Sequence, residues 1–172
     1  MKKWMAALAA AVVMAAPFAA DAMDSKTLLS DPARYRVIYA DGRDVVYADM
    51  ETLSGLQTMD YPSTIENMEF TMYVETYRRK IRLWDFEQER MVAHIRAYAA
   101  GLHANKAAGK YVLETKLTGL FTGQGEALPL EGKPHGKDHL QGEARDMYFT
   151  LSRIERQEAL AQTPQPIEGD HK

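Results

Sequence analysis

The chain has 172 residues, with 21 lysines and arginines against 24 aspartates and glutamates and a formal net charge of −3. That balance excludes a general nucleic-acid binder, which needs a net basic footprint to displace counterions from phosphate. Cysteine is absent, and with it go disulfides, thiol catalysis, cysteine zinc sites and covalently attached haem.

Lys2 and Lys3 precede an apolar run from Trp4 to Ala20 that ends in Ala20-Asp21-Ala22. These are the charged, apolar and cleavage regions of a secretory signal, and they predict cleavage after Ala22. A membrane span needs about 20 apolar residues, whereas this run is shorter, rich in weakly apolar alanine and interrupted by Pro17. The missing cysteine also removes a lipoprotein anchor, so no membrane span is expected in the mature chain. Removal of residues 1–22 takes 21 basic and 24 acidic residues to 19 and 23, a balance of −4. Residues 23–161 are then one ordinary domain, exported to the periplasm or the outside of the cell.

In chain order, Tyr35, Val37 and Tyr39 alternate with Arg36, Ile38 and Ala40, and residues 45–50 repeat a β-rich pattern after Asp41-Gly42. That dipeptide suits a tight turn, so a hairpin is predicted. Residues 54–67, with Gly55 and Pro62, read as a connection. A long strand is predicted over 68–84, with Phe70, Met72 and Val74 on one face and Thr71, Tyr73, Glu75 and Tyr77 on the other. The shift of apolar parity toward Ile81 and Leu83 suggests a bulge near its end. Residues 90–99 suit a helix by composition, but the alternation of Ala93, Ile95 and Ala97 favours a strand. A turn over 103–110 then leads into a partner strand carrying Tyr111, Leu113, Thr115 and Leu117.

Four glycines and two prolines make 122–137 an exposed loop. After it, Leu140, Ala144, Met147, Leu151 and Ile154 recur at helical spacing, which predicts a helix over 139–160 laid on the sheet. Asp138 is its expected N-cap, with Gln141 as capping-box partner. The proline-containing tail, 162–172, is expected to be disordered.

Among chemistry-bearing residues, His135 and His139 with Asp138 and Glu143 invite a metal reading. Two histidines four apart converge on an ion only from one helical face. His135 sits between Pro134 and Gly136 in the loop while His139 follows the cap, so closure round zinc would need the loop to fold back. No cofactor is otherwise implied. None of the five serines sits in a nucleophile elbow, and residues 122–128 lack the third glycine of a dinucleotide fingerprint. Asp44 with Asp49 and Asp85 with Glu87 are acid pairs of a kind common on solvated strands. The main surface candidate is Tyr77, Arg78, Arg79, Lys80, Arg82 and Trp84, a basic and aromatic patch suited to an acidic polymer or a protein partner. The plainer reading is a strand end whose cations blunt a sheet edge.

The hairpin sequence over 35–53, followed by the strand beginning at 68, resembles the surface-adhesin protein E-like family of small exported bacterial proteins. Asp49, Thr52 and Leu53 stand where that family ends its hairpin with Asp-x-x-Ser/Thr-hydrophobe, and Tyr35 stands where it has a tryptophan. The resemblance spans roughly residues 35–121. It implies a small antiparallel α+β domain, dimeric in some members, and adhesion to host proteins in some, and it carries over no ligand-binding residue.

The expectation is therefore an α+β fold, with an antiparallel sheet of four to six strands and a C-terminal helix packed on one face. The expected function is a non-enzymatic binding module of the envelope, whose partner is an envelope or extracellular protein, an acidic polymer or a second copy of the chain. The alternatives are an envelope enzyme with a fold-assembled site and a metal-binding protein using residues 135–143.

Overall fold

The computed structural model describes residues 22–59, 64–78, 91–130 and 139–162. The predicted leader up to Asp21, the tail from Thr163 and the acid pair Asp85 and Glu87 lie outside them. The described chain forms a six-stranded antiparallel sheet with a C-terminal helix against it.

Strands β1 (Tyr35–Ala40) and β2 (Asp44–Asp49) form the predicted hairpin. Asp41 makes its turn, because its Oδ1 accepts the amides of Arg43 at 2.6 Å and Asp44 at 2.7 Å. After a 3-10 turn (Met50–Thr52) come β3 (Gln57–Met59), β4 (Ile65–Tyr77), β5 (Val92–Asn105) and β6 (Lys110–Phe121). The spatial order is β1-β2-β4-β5-β6, and β3 shares with β2 one edge of β4.

That sharing needs a device where β2 stops pairing at Thr71 and β3 takes over at Asn67. Thr52 supplies it, donating its hydroxyl to the Asp49 carbonyl and accepting the Thr71 amide, both at 2.8 Å. The Glu69 amide is taken by Ser54 Oγ at 2.9 Å. Asp49 accepts a two-pronged bond from Arg34, at 3.0 and 2.9 Å. The β4 amides between the two pairings are thus taken by side-chain hydroxyls.

Several expected boundaries move. Residues 57–59, read as connection, are a strand. Three exposed residues carry too little alternation to announce one. The strand expected from 68 begins at Ile65, because pairing with β3 extends it. The next strand runs on to Asn105 rather than ending at 99, so the turn shrinks to 106–109, where Gly109 takes φ +63°. A register shift lies between Thr76 and Tyr77, close to the expected bulge. The loop after β6 is not wholly irregular: Leu128 N donates to Leu120 O at 2.7 Å, folding 122–128 back on the strand. The helical segment opens as a 3-10 turn (His139–Glu143) and becomes α-helical, as α2, over Ala144–Gln162.

Two cores result, one on each face. On one, Leu140, Ala144, Met147 and Leu151 insert against Met68, Phe70, Met72 and Val74 of β4 and Leu102 of β5. The helical spacing read from the sequence is the spacing used. On the other, Tyr73, Glu75 and Tyr77 are buried under a short helix that the sequence reading missed, α1 (Ser25–Ser30). Asp24 caps α1, accepting the Thr27 amide at 2.6 Å, and Met23 and Leu28 enter the core. Gly125 has φ +90°, and a Cβ added to it would come within 3.2 Å of the Asp24 Cβ, so a side chain there would be strained twice over. Among the described residues no helix is long and apolar enough to cross a membrane.

Candidate functional site

The densest polar corner lies where the β1–β2 turn meets the start of the C-terminal helical segment. Leu140 is fully buried and pins the 3-10 turn, which leaves the neighbouring His139 facing the hairpin. His139 Nε2 lies 3.1 Å from Asp44 Oδ2 and 3.8 Å from Asp41 Oδ2. Asp44 is 2% exposed, and its other oxygen accepts the Thr76 hydroxyl and lies 3.6 Å from Arg96 Nη2. Backbone bonds from Asp44 and Arg43 and the nearby charge of His139 hold the Asp41 carboxyl below its ordinary pKa, against the opposing effect of burial.

A second cluster is closed to solvent. Glu75 is fully buried among apolar side chains, and its Oε2 accepts the hydroxyls of Tyr47 at 3.0 Å and Tyr77 at 2.7 Å. Burial raises its pKa, and the hydroxyls of Ser25, Tyr77 and Tyr47 only partly offset that. The outward pressure on Tyr47 is similar: burial, then the Glu75 charge, pushes its phenol far up. A third tie joins helix to sheet, with Tyr148 donating to Glu66 and Lys106 pairing with the same carboxylate.

The predicted basic and aromatic patch is only partly within the described residues. Tyr77 does not present its ring to a partner. It is 2% exposed and its hydroxyl is spent on Glu75, because the odd positions of β4 face a second core. Arg78 is exposed just past β4, and Arg79, Lys80, Arg82 and Trp84 lie outside the described residues. Of the predicted metal set, His135 and Asp138 lie outside them too. His139 points at the hairpin aspartates, a pairing the sequence reading missed since 95 residues separate its turn from theirs. Glu143 closes the same 3-10 turn and does not belong to that donor set. Asp44 and Asp49, considered as a pair, stand at opposite ends of β2 with different partners.

Among the described residues β1 and β6 end the sheet, each paired on one side only, and the short β3 pairs only with β4. β1 is six residues long and loses register between Val37 and Tyr39, which blunts it. β6 is twelve residues long and pairs with β5 in unbroken register from Lys110 to Leu117. Among the described residues nothing pairs with its outer edge over that span. Val112, Glu114 and Lys116 stand exposed on its solvent face. No family model, curated protein or solved structure matches the chain.

Proposed function

We propose that the chain is an exported, non-enzymatic interaction protein of the bacterial envelope that takes a protein partner by strand addition along β6. The carrying observation is the regular outer edge of that strand over 110–117, with which nothing pairs among the described residues. Main-chain donors and acceptors on such an edge give affinity, and side chains alternating along it give selectivity. Glu114 and Lys116, of opposite sign two residues apart, would refuse a partner strand with mismatched charges. The adhesin-like resemblance of residues 35–121 belongs to the same reading. The Glu75 cluster is sealed in the core and offers no access to a substrate.

Export rests on the leader. Met23, the first residue after the predicted cleavage point, is already a core residue at 5% exposure, so cleavage there leaves the described core whole. N-terminal sequencing of the protein recovered outside the cytoplasm should begin at Met23. A start elsewhere, or recovery only in the cytoplasm, would remove the export reading.

The interaction is tested with a photo-crosslinking residue at Val112 on β6 or at Val37 on β1, both 49% exposed. A discrete adduct in intact cells from position 112 but not from 37 is expected. Equal labelling from both, or none from 112, would count against β6 as the docking edge.

A further inference from the structure

We infer that Asp41, Asp44 and His139 form a binding site for a divalent transition-metal cation, with zinc the best-suited ion. The inference is independent of the interaction proposed for β6. One donor atom from each residue lies within 4.8 Å of the others. The two separations from His139 Nε2, 3.1 and 3.8 Å, bracket the roughly 3.4 Å edge of a tetrahedron drawn with ordinary zinc–nitrogen and zinc–oxygen lengths.

The orientation of the two carboxylates is the stronger observation. Each has its Oδ1 committed to protein donors: Asp41 to the amides of Arg43 and Asp44, Asp44 to the Thr76 hydroxyl with Arg96 behind it. Each turns its Oδ2 to the same imidazole nitrogen. Outer hydrogen bonds that fix a ligating carboxylate and leave one oxygen inward are what a metal's surroundings supply. The three ligands also come from two elements, the hairpin turn and the 3-10 turn anchored by the buried Leu140. His139 is 54% exposed and Asp41 33%, so solvent can complete the coordination.

Charge fits as well. Glu143 and Asp146 add to the negative field of this corner, and with Asp41 and Asp44 they reinforce the effect of burial in raising the Tyr39 phenol. Arg96 and Arg43 oppose that field, Arg96 from the far oxygen of Asp44. Imidazole with two carboxylates is a donor set for zinc and its neighbours rather than for calcium or magnesium, which take oxygen alone. The competing account is a plain ion pair between protonated His139 and the two aspartates.

The test is titration of the chelator-treated chain with Zn2+ by calorimetry, and with Co2+ read by its visible absorption. Saturable binding of one equivalent is expected, weakened at least about tenfold in both His139→Ala and Asp41→Asn. Asp41→Asn keeps a side-chain oxygen for the two turn amides, so its fold should survive, and metal-free thermal unfolding checks both variants. His135→Ala should bind as the unaltered chain does. No saturable binding by the unaltered chain, binding that survives either substitution, or loss in His135→Ala would overturn the site.

Discussion

Leu151→Ala is expected to destabilise the protein by about 2–5 kcal/mol, the range for truncating a buried leucine where the surroundings cannot collapse. Leu151 is fully buried on the helix face that meets β4, between Met147 and Ile154. The sheet side of that contact is itself fixed by strand pairing on both edges of β4, so it cannot follow the retreating side chain. A domain of this size has about 5–15 kcal/mol in all, and the loss should lower the melting temperature by on the order of 10 °C. Leu160→Ala, on the same helix at 75% exposure, should change stability by less than about 0.5 kcal/mol. Urea denaturation of both variants decides the matter. Similar losses in the two would mean that α2 is not held by the face described.

Glu75→Gln is expected to stabilise the protein at neutral pH and above, by roughly 1–3 kcal/mol, the scale of an imperfectly compensated buried polar group. The native carboxyl has its pKa raised above the ordinary value of 4.5, first by burial. Between 4.5 and the higher native value the folded chain therefore holds a proton that the unfolded chain has released. Its contribution is full below about 4.5 and is lost as pH rises through the native value. Glutamine keeps an oxygen for the two tyrosine hydroxyls and carries no charge, so it removes the dependence. Asp24, Asp41 and Glu66 have lowered values and act in the opposite sense, losing stability as pH falls. The informative quantity is thus the difference between the unaltered chain and Glu75→Gln from pH 4 to 9. A difference that does not grow with pH would show that Glu75 is accommodated as a carboxylate.

The sequence made the two periodic segments most legible. Residues 140–154 named the face that α2 buries, and the alternation over 70–77 separated the two sides of β4. Placing Tyr77 in a surface patch was the costly step. Tyr73, Glu75 and Tyr77 look like a polar face because each carries a polar atom, yet phenols and a carboxyl can satisfy one another in a core. What buries them is α1 and Met23, a segment too short for periodicity to reveal. The partners of His139 were missed for a similar reason. His139 was visible as a candidate ligand, but Asp41 and Asp44 had been assigned to a turn and a strand, and only tertiary packing brings the two together. Local pattern reports which residues share a face, and it is silent on which distant loop closes over them.

The wiring of the sheet bears on how the molecule assembles. Each strand from β1 to β6 pairs with a partner adjacent in sequence, or separated from it only by the short β3. Such a sheet can zip together one hairpin at a time, with little loop entropy to overcome at each step. The long-range ties come at the ends: Ser25 N to Gly123 O at 3.1 Å, and Leu56 N to Glu155 Oε1 at 2.6 Å. These clasp α1 and α2 onto opposite faces of a sheet that must already exist. The scaffold can thus form locally before either end of the described chain finds its seat, with no covalent crosslink required to guide it.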